Sequence, residues 1–134
     1  MSGETDLRKL LQSMSPKLNK GEFVFCKVES SQAAKSLDPI CIFKEDEGIS
    51  VIIPRQQADR VALPYSVVCA WITLTVHSSL EAVGLTASVS KALTESNISC
   101  NVVAAYFHDH IFVPIADANE AMNVLGKITL GKGI

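Results

Sequence analysis

Two short stretches decide how this chain reads: Val51-Ile52-Ile53-Pro54 and Ile111-Phe112-Val113-Pro114. Both are apolar runs closed by proline, they stand sixty residues apart, and alanine follows each at the same offset, Ala58 and Ala118. An apolar β-forming run that ends in proline reads as a strand, and the segment behind the proline is free to start a helix. Recurrence at one fixed offset argues for two copies of a single unit. Upstream, the copies begin at the strand Phe23 to Val28 and at the strand Trp71 to Val76. From the start of the first strand to the proline the first copy advances 31 positions and the second 43, a shortfall of 12. That is about the length of one ordinary helix. The first crossover helix is therefore read as shrunk to a loop or single turn around Ser30 to Leu37.

The remaining elements fall around this frame. Leu7, Leu10, Leu11 and Met14 share one helical face, and Ser15-Pro16 reads as the end of that helix. Ile40 to Phe43 and Ile49 to Ile53 read as strands joined by the charged turn Lys44-Glu45-Asp46-Glu47-Gly48, and Arg55 to Val61 as a short helix. In the second half Leu85, Val89, Ala92 and Leu93 carry an amphipathic helix that stops near Asn97. Ser99 to Phe107 reads as a long strand, His108-Asp109-His110 as a turn, and Ile111 to Val113 as a shorter strand. Asp117 is placed at the start of a last helix, with Glu120 as its capping-box partner and Ala121, Met122 and Leu125 on the core face. Ile128 to Leu130 offers a last strand. The chain is thus read as α+β: two ferredoxin-like units, residues 1–66 and 67–134, each an antiparallel sheet with helices on one face. Units of under about 70 residues rarely hold a sufficient core alone, so the two are expected as one body.

Composition excludes several functions. Of 134 residues, 48% are hydrophobic and 19% charged, which excludes intrinsic disorder. Twelve Lys and Arg against 14 Asp and Glu leave no basic field for nucleic acid, so none is expected as partner. Between Arg60 and Glu81 no residue is formally charged, but Pro64, Ser66, Thr73, Thr75, His77, Ser78 and Ser79 interrupt the stretch. From Trp71 to His77 polarity alternates, the period of a half-buried strand, so no membrane span is expected. The acidic, polar start has no apolar signal core, and Cys26, Cys41, Cys69 and Cys100 form no CxxC pair. A cytoplasmic protein with buried, reduced thiols is the expectation.

The chemistry concentrates after the Trp71 strand, in His77-Ser78-Ser79-Leu80-Glu81-Ala82-Val83-Gly84-Leu85. Amides at a helix start attract carboxylates, Gly84 admits close approach, the Ser78 and Ser79 hydroxyls donate, and Glu81 can hold an ammonium group. Those features suit a zwitterion such as an amino acid. A plain helix start, capped by Ser79 with Glu81 favouring the dipole, accounts for the same residues. His108 and His110 would share a face if the strand continued, with His77 a candidate third metal ligand, but a polar step between Phe107 and Ile111 reads better as a turn. No G-x-S-x-G elbow, Walker motif or dinucleotide glycine pattern is present, so no catalytic, cofactor or metal residue is assigned.

Beyond this, Trp71 to Ala87 resembles the first strand, ligand loop and helix start of an ACT domain, and Asn97 to Pro114 its second and third strands. Gly21 to Cys26 and Gly48 to Val51 are similar to the N-terminal unit of a bacterial group of small tandem ACT-like proteins. The resemblance implies a non-catalytic regulatory module without cofactor, binding an amino acid between ACT units, and a homodimer. It implies ligand contacts from Ser78, Ser79, Glu81, Val83, Gly84 and Leu85, with Asn101 and Val102 from the second strand. The acid is Glu81 where Asp is usual in the family, and Val83 stands where Pro is common. Two other readings are an assembly module with no small ligand and a metal-dependent enzyme using His108, Asp109 and His110.

Overall fold

The computed structural model describes residues 7–75 and 84–131. In chain order the elements are α1 (Leu7–Ser13), β1 (Ser15–Leu18), β2 (Phe23–Val28), α2 (Ser31–Lys35), β3 (Cys41–Glu45), β4 (Gly48–Pro54), α3 (Arg55–Arg60), β5 (Val68–Thr75), α4 (Leu85–Glu95), β6 (Asn101–Ala104), β7 (Asp109–Pro114) and α5 (Ala118–Thr129). They pack as two compact units, Lys20–Ala70 and Met1–Asn19 with Trp71–Ile134. Strand β5 begins in the first of these and ends in the other.

In the Lys20–Ala70 unit the strand order is β3-β4-β2-β5, all antiparallel, with Phe23 opposite Pro54 and Val28 opposite Ile49. This is the ferredoxin-like order, in which the first and third strands are central. Along β2, Val24, Cys26 and Val28 point inward and Phe25 and Lys27 outward, the two-residue period of a half-buried strand. The inner face meets Val51 and Ile53 of β4, and Ala34, Leu37 and Ala58 cover it from the helical side. The crossover is the single turn α2, five residues started by Ser30, whose Oγ accepts the Ala33 amide. A two-residue turn, Asp46-Glu47, joins β3 to β4.

In the other unit β5 lies between β1 and β7, and β6 is the edge. Here the fourth strand is supplied by β1 from the N-terminus, with Ser15 opposite Thr75 and Leu18 opposite Ile72. Ser15-Pro16 thus ends α1 but starts a strand, and Ile128 to Leu130, read above as a strand, belong to the last turn of α5 and its end. Leu10, Leu11 and Met14 join Ile72, Leu74, Val89, Leu93, Ile111, Val113, Leu125 and Ile128 in the core.

The sixty-residue repeat reappears in the backbone. Pro54 and Pro114 adopt nearly the same conformation, φ −57°, ψ 138° and φ −53°, ψ 139°. Behind them the copies diverge: α3 starts at once and buries Ala58, whereas a 3-10 turn, Ile115–Asp117, delays α5 so that Ala121 takes the buried position. The delay also corrects the capping box, because Asp117 stands at the start of α5 without a side-chain cap hydrogen bond. Among the described residues no helix is long and apolar enough to cross a membrane.

Candidate functional site

Of the residues singled out as ligand-binding, Ser78, Ser79, Glu81 and Val83 lie outside the described residues, as does His77. Gly84 and Leu85 open α4. Gly84 is left-handed, φ 92°, and has no side chain with which to cap the helix amides. A Cβ there would lie 3.3 Å from Leu7 Cδ2, so α1 approaches this helix start closely. Leu7 also lines a groove of about 830 Å³ bearing Arg8 and Gln12 from α1 and Ser88, Lys91 and Glu95 from α4. Both signs of charge therefore line one depression beside Gly84.

Asn101 and Val102 stand elsewhere in the unit. Asn101 is exposed on the edge strand β6, opposite Phe112, and Phe112 stacks on Trp71 at 6.3 Å. The chain leaves β5 only after Thr75, four residues and about 13 Å further along the strand. At that end of the sheet β6 and β7 join, with Ala104 opposite Asp109. The structure therefore brings Gly84 and Leu85 together at the start of α4 and sets Asn101 and Val102 apart from the point where the loop departs.

The β6–β7 connection corrects the sequence reading. The strand expected over Ser99 to Phe107 ends at Ala104, and the turn falls on Ala105 to His108, closed by the Ala105 amide on the His108 carbonyl at 3.0 Å. Tyr106 and Phe107, 88% and 78% exposed, form its tip, their rings edge to face at 4.9 Å. Asp109 and His110 are consequently strand residues.

His110 belongs to a polar network that no local sequence signal announced. The Trp71 indole Nε1 donates to His110 Nδ1 at 3.0 Å, and Thr73 Oγ1 lies 3.1 Å from the same nitrogen. Asn19 Nδ2 donates to Thr73 Oγ1 at 2.9 Å, and the Asn19 backbone amide donates to the Trp71 carbonyl at 2.9 Å. Burial, and secondarily the neighbouring His108, hold the His110 pKa below the usual histidine value, with Asp109 pulling the other way. Burial raises the Asp109 carboxyl, against a smaller opposing pull from His110. His108 Nδ1 is buried with no hydrogen-bond partner among the described residues.

Among the described residues no three His, Cys, Asp or Glu side chains come together to hold a metal ion. All four cysteines are free; Cys26 and Cys69 are buried, whereas Cys41 and Cys100 are only partly so. Burial pushes the thiols of Cys26, Cys69 and Cys100 up, which disfavours the nucleophilic thiolate.

The fold defines the class as an α+β protein of two ferredoxin-like units, each with the same strand order. Family comparison adds that one ACT-domain model matches residues 2–70 and a second matches 66–127. The chain belongs to the ACT-domain family, with two such regulatory domains in tandem along the sequence. A protein of unknown function from Vibrio cholerae, described as a possible transport protein, is 45% identical, with a TM-score of 0.87 over 93% of this chain and 97% of that one. A protein from Agrobacterium tumefaciens is 17% identical, TM-score 0.67, over 87% and 89% of the two chains. The aspartate kinase of Clostridium acetobutylicum shares the fold at 9% identity and a TM-score of 0.63, over 88% of this chain and 34% of that one. No curated protein matches the chain.

Proposed function

We propose that this is a non-catalytic cytoplasmic regulator that binds an amino acid or a similar zwitterion at Ser78, Ser79, Glu81, Val83, Gly84 and Leu85. The observation that carries the reading is Gly84, in a chain of the ACT family. It stands left-handed at the start of α4, has no side chain to block the helix amides, and adjoins a groove lined by Arg8, Lys91 and Glu95. In this reading amides and cations take the carboxylate while Glu81 takes the ammonium group. Asn101 and Val102 stand on β6, opposite Phe112 and Ile111. They enter the proposal as contacts from a second copy, on the exposed edge strand β6, which makes the working form a homodimer. The sequence division at 66/67 is kept as the boundary between the two family units.

Regulation would follow from coupling: a ligand held between copies favours the arrangement that closes on it. The test is a thermal-shift panel of the amino acids at millimolar concentration, with sedimentation in parallel. At least one amino acid should raise the melting temperature, since ligand at about 100 times its Kd adds about 2.7 kcal/mol. Glu81→Gln should reduce that shift while leaving the unliganded protein's stability unchanged. A panel without any shift overturns the reading.

Assembly without a ligand is the second reading, and one observation favours it. Phe25, Ile42 and Phe43 are exposed in the Lys20–Ala70 unit, Phe43 by 65%, two of them on the edge strand β3. On that reading Phe43→Glu dissociates the oligomer and Glu81→Gln leaves both assembly and thermal response untouched.

A further inference from the structure

The network around His110 fixes a protonation state by hydrogen-bond logic alone. An indole N–H can only donate, so His110 Nδ1 must accept from Trp71 at 3.0 Å and cannot carry a proton. The Thr73 hydroxyl receives the Asn19 amide and has its own proton free to point at the same nitrogen 3.1 Å away. Asn19 is itself oriented, because its Nδ2 also reaches the Trp71 carbonyl at 3.2 Å, a group that only accepts. His110 is thereby held as the neutral tautomer with its proton on Nε2, and a second proton cannot be added without breaking what Nδ1 now receives.

We propose that His110 is a proton-operated latch: while neutral its Nδ1 accepts the Trp71 indole N–H and so ties β7 to that side chain of β5, and on protonation it releases the indole and turns its new N–H to Thr73 Oγ1, which Asn19 continues to hold. Charging Nδ1 turns the acceptor into a donor facing the Trp71 N–H donor. The indole N–H then loses His110 as its acceptor, and the ring must move away from it. Among the described residues the ionisable groups around the ring are few. His108 and Asp109 flank it on β7, the two histidine rings 6.1 Å apart, and Lys17 on β1 stands in register with Thr73. The described residues of β5 and β6 against it, Trp71, Thr73 and Val103, do not ionise in this range. Burial, and secondarily His108, oppose charging of His110 while Asp109 favours it, so the latch opens below the ordinary histidine range. The latch needs no bound ligand, so it stands or falls apart from the function proposed above.

Trp71 is the single tryptophan of the chain, which gives the latch its own optical reporter. Tryptophan emission is followed from about pH 8 to about pH 4.5, with far-ultraviolet circular dichroism on the same samples. Emission should pass through a transition with its midpoint below 6.5 while the circular dichroism stays constant. His110→Asn keeps an acceptor for the indole and cannot titrate, so its emission should be flat. His77→Asn should retain the transition, and His108→Asn should move it to higher pH. Long-range proton–nitrogen NMR of the unaltered protein should show the His110 proton on Nε2 at pH above 7, whether or not any variant folds. A proton on Nδ1, a flat wild-type emission, a transition that survives in His110→Asn, or one that coincides with loss of circular dichroism overturns the latch.

Discussion

Ala62 shows what a single residue can conceal. It stands just past the end of α3 at φ 59°, with its amide on the Asp59 carbonyl and the Leu63 amide on the Ala58 carbonyl. Asn97 closes α4 with the same pair of bonds at φ 60°, and Gly131 follows α5 at φ 78°. Asparagine tolerates the left-handed region, so the end of α4 was legible in the sequence; alanine signals nothing of the kind. Ala62→Gly should therefore stabilise the protein by roughly 0.5–1 kcal/mol, read as a raised urea midpoint at unchanged slope. His110 was illegible for another reason: its partners are Trp71 and Thr73, 39 and 37 residues away, while its immediate neighbours look like a turn. Its lowered pKa has a sign. The unfolded chain takes up the proton first, so His110 contributes stability that is complete above pH 6.5 and is lost as pH falls from there through the depressed native value. Asp109, raised by burial, acts oppositely, its native penalty being relieved as pH falls through its raised value. Chemical denaturation of wild type and His110→Asn should accordingly differ in slope against pH just below 6.5, the wild type losing stability faster.

Elements carried by an apolar rhythm were readable, and elements defined by partners were not. Strand β2 matches its sequence bounds because Val24, Cys26 and Val28 alternate with exposed residues. The four residues of β1 contain a proline and a lysine and show no such rhythm; only β5 beside them makes them a strand. The tail Ile128-Thr129-Leu130 has β-forming residues, yet it continues α5 because Ile128 completes the buried stripe begun by Ala121, Val124 and Leu125. Helix starts divide in the same way. Ser30 caps α2 through its hydroxyl, 3.1 Å from the Ala33 amide, whereas Asp117 makes no cap bond to α5. Ser30→Ala should cost about 0.5–2 kcal/mol of stability, and Asp117→Ala much less, on the order of 0.5 kcal/mol or below. Equal losses at the two positions would contradict the geometry. The candidate site follows the same division: Gly84 was legible as a helix start, but the approach of Leu7 to it was not, since that contact spans 77 positions of sequence.

At the scale of the molecule the repeat was visible and the packing that completes it was not. Sequence adjacency groups residues 7–19 with the first half, and packing groups them with the second. The reason is the strand count: each sheet needs a fourth strand beside its first. In the Lys20–Ala70 unit the start of β5 supplies it, while in the other unit β1 does, reaching back from the N-terminus. Helix α1 then lies on the same unit, and Leu10, with none of its surface exposed, fills that core beside Leu11 and Met14. Truncating a fully buried leucine costs about 2–5 kcal/mol, because the lost transfer energy is joined by the cavity left behind. Leu10→Ala should therefore weaken a unit whose other elements, β1 apart, lie more than sixty positions downstream. In hydrogen exchange the amides of α4, α5 and β7 should lose protection by the larger factor, and those paired between β2 and β4 should lose much less. If residues 7–19 belonged energetically to the half they precede, the loss would instead appear first in the Phe23–Pro54 ladder.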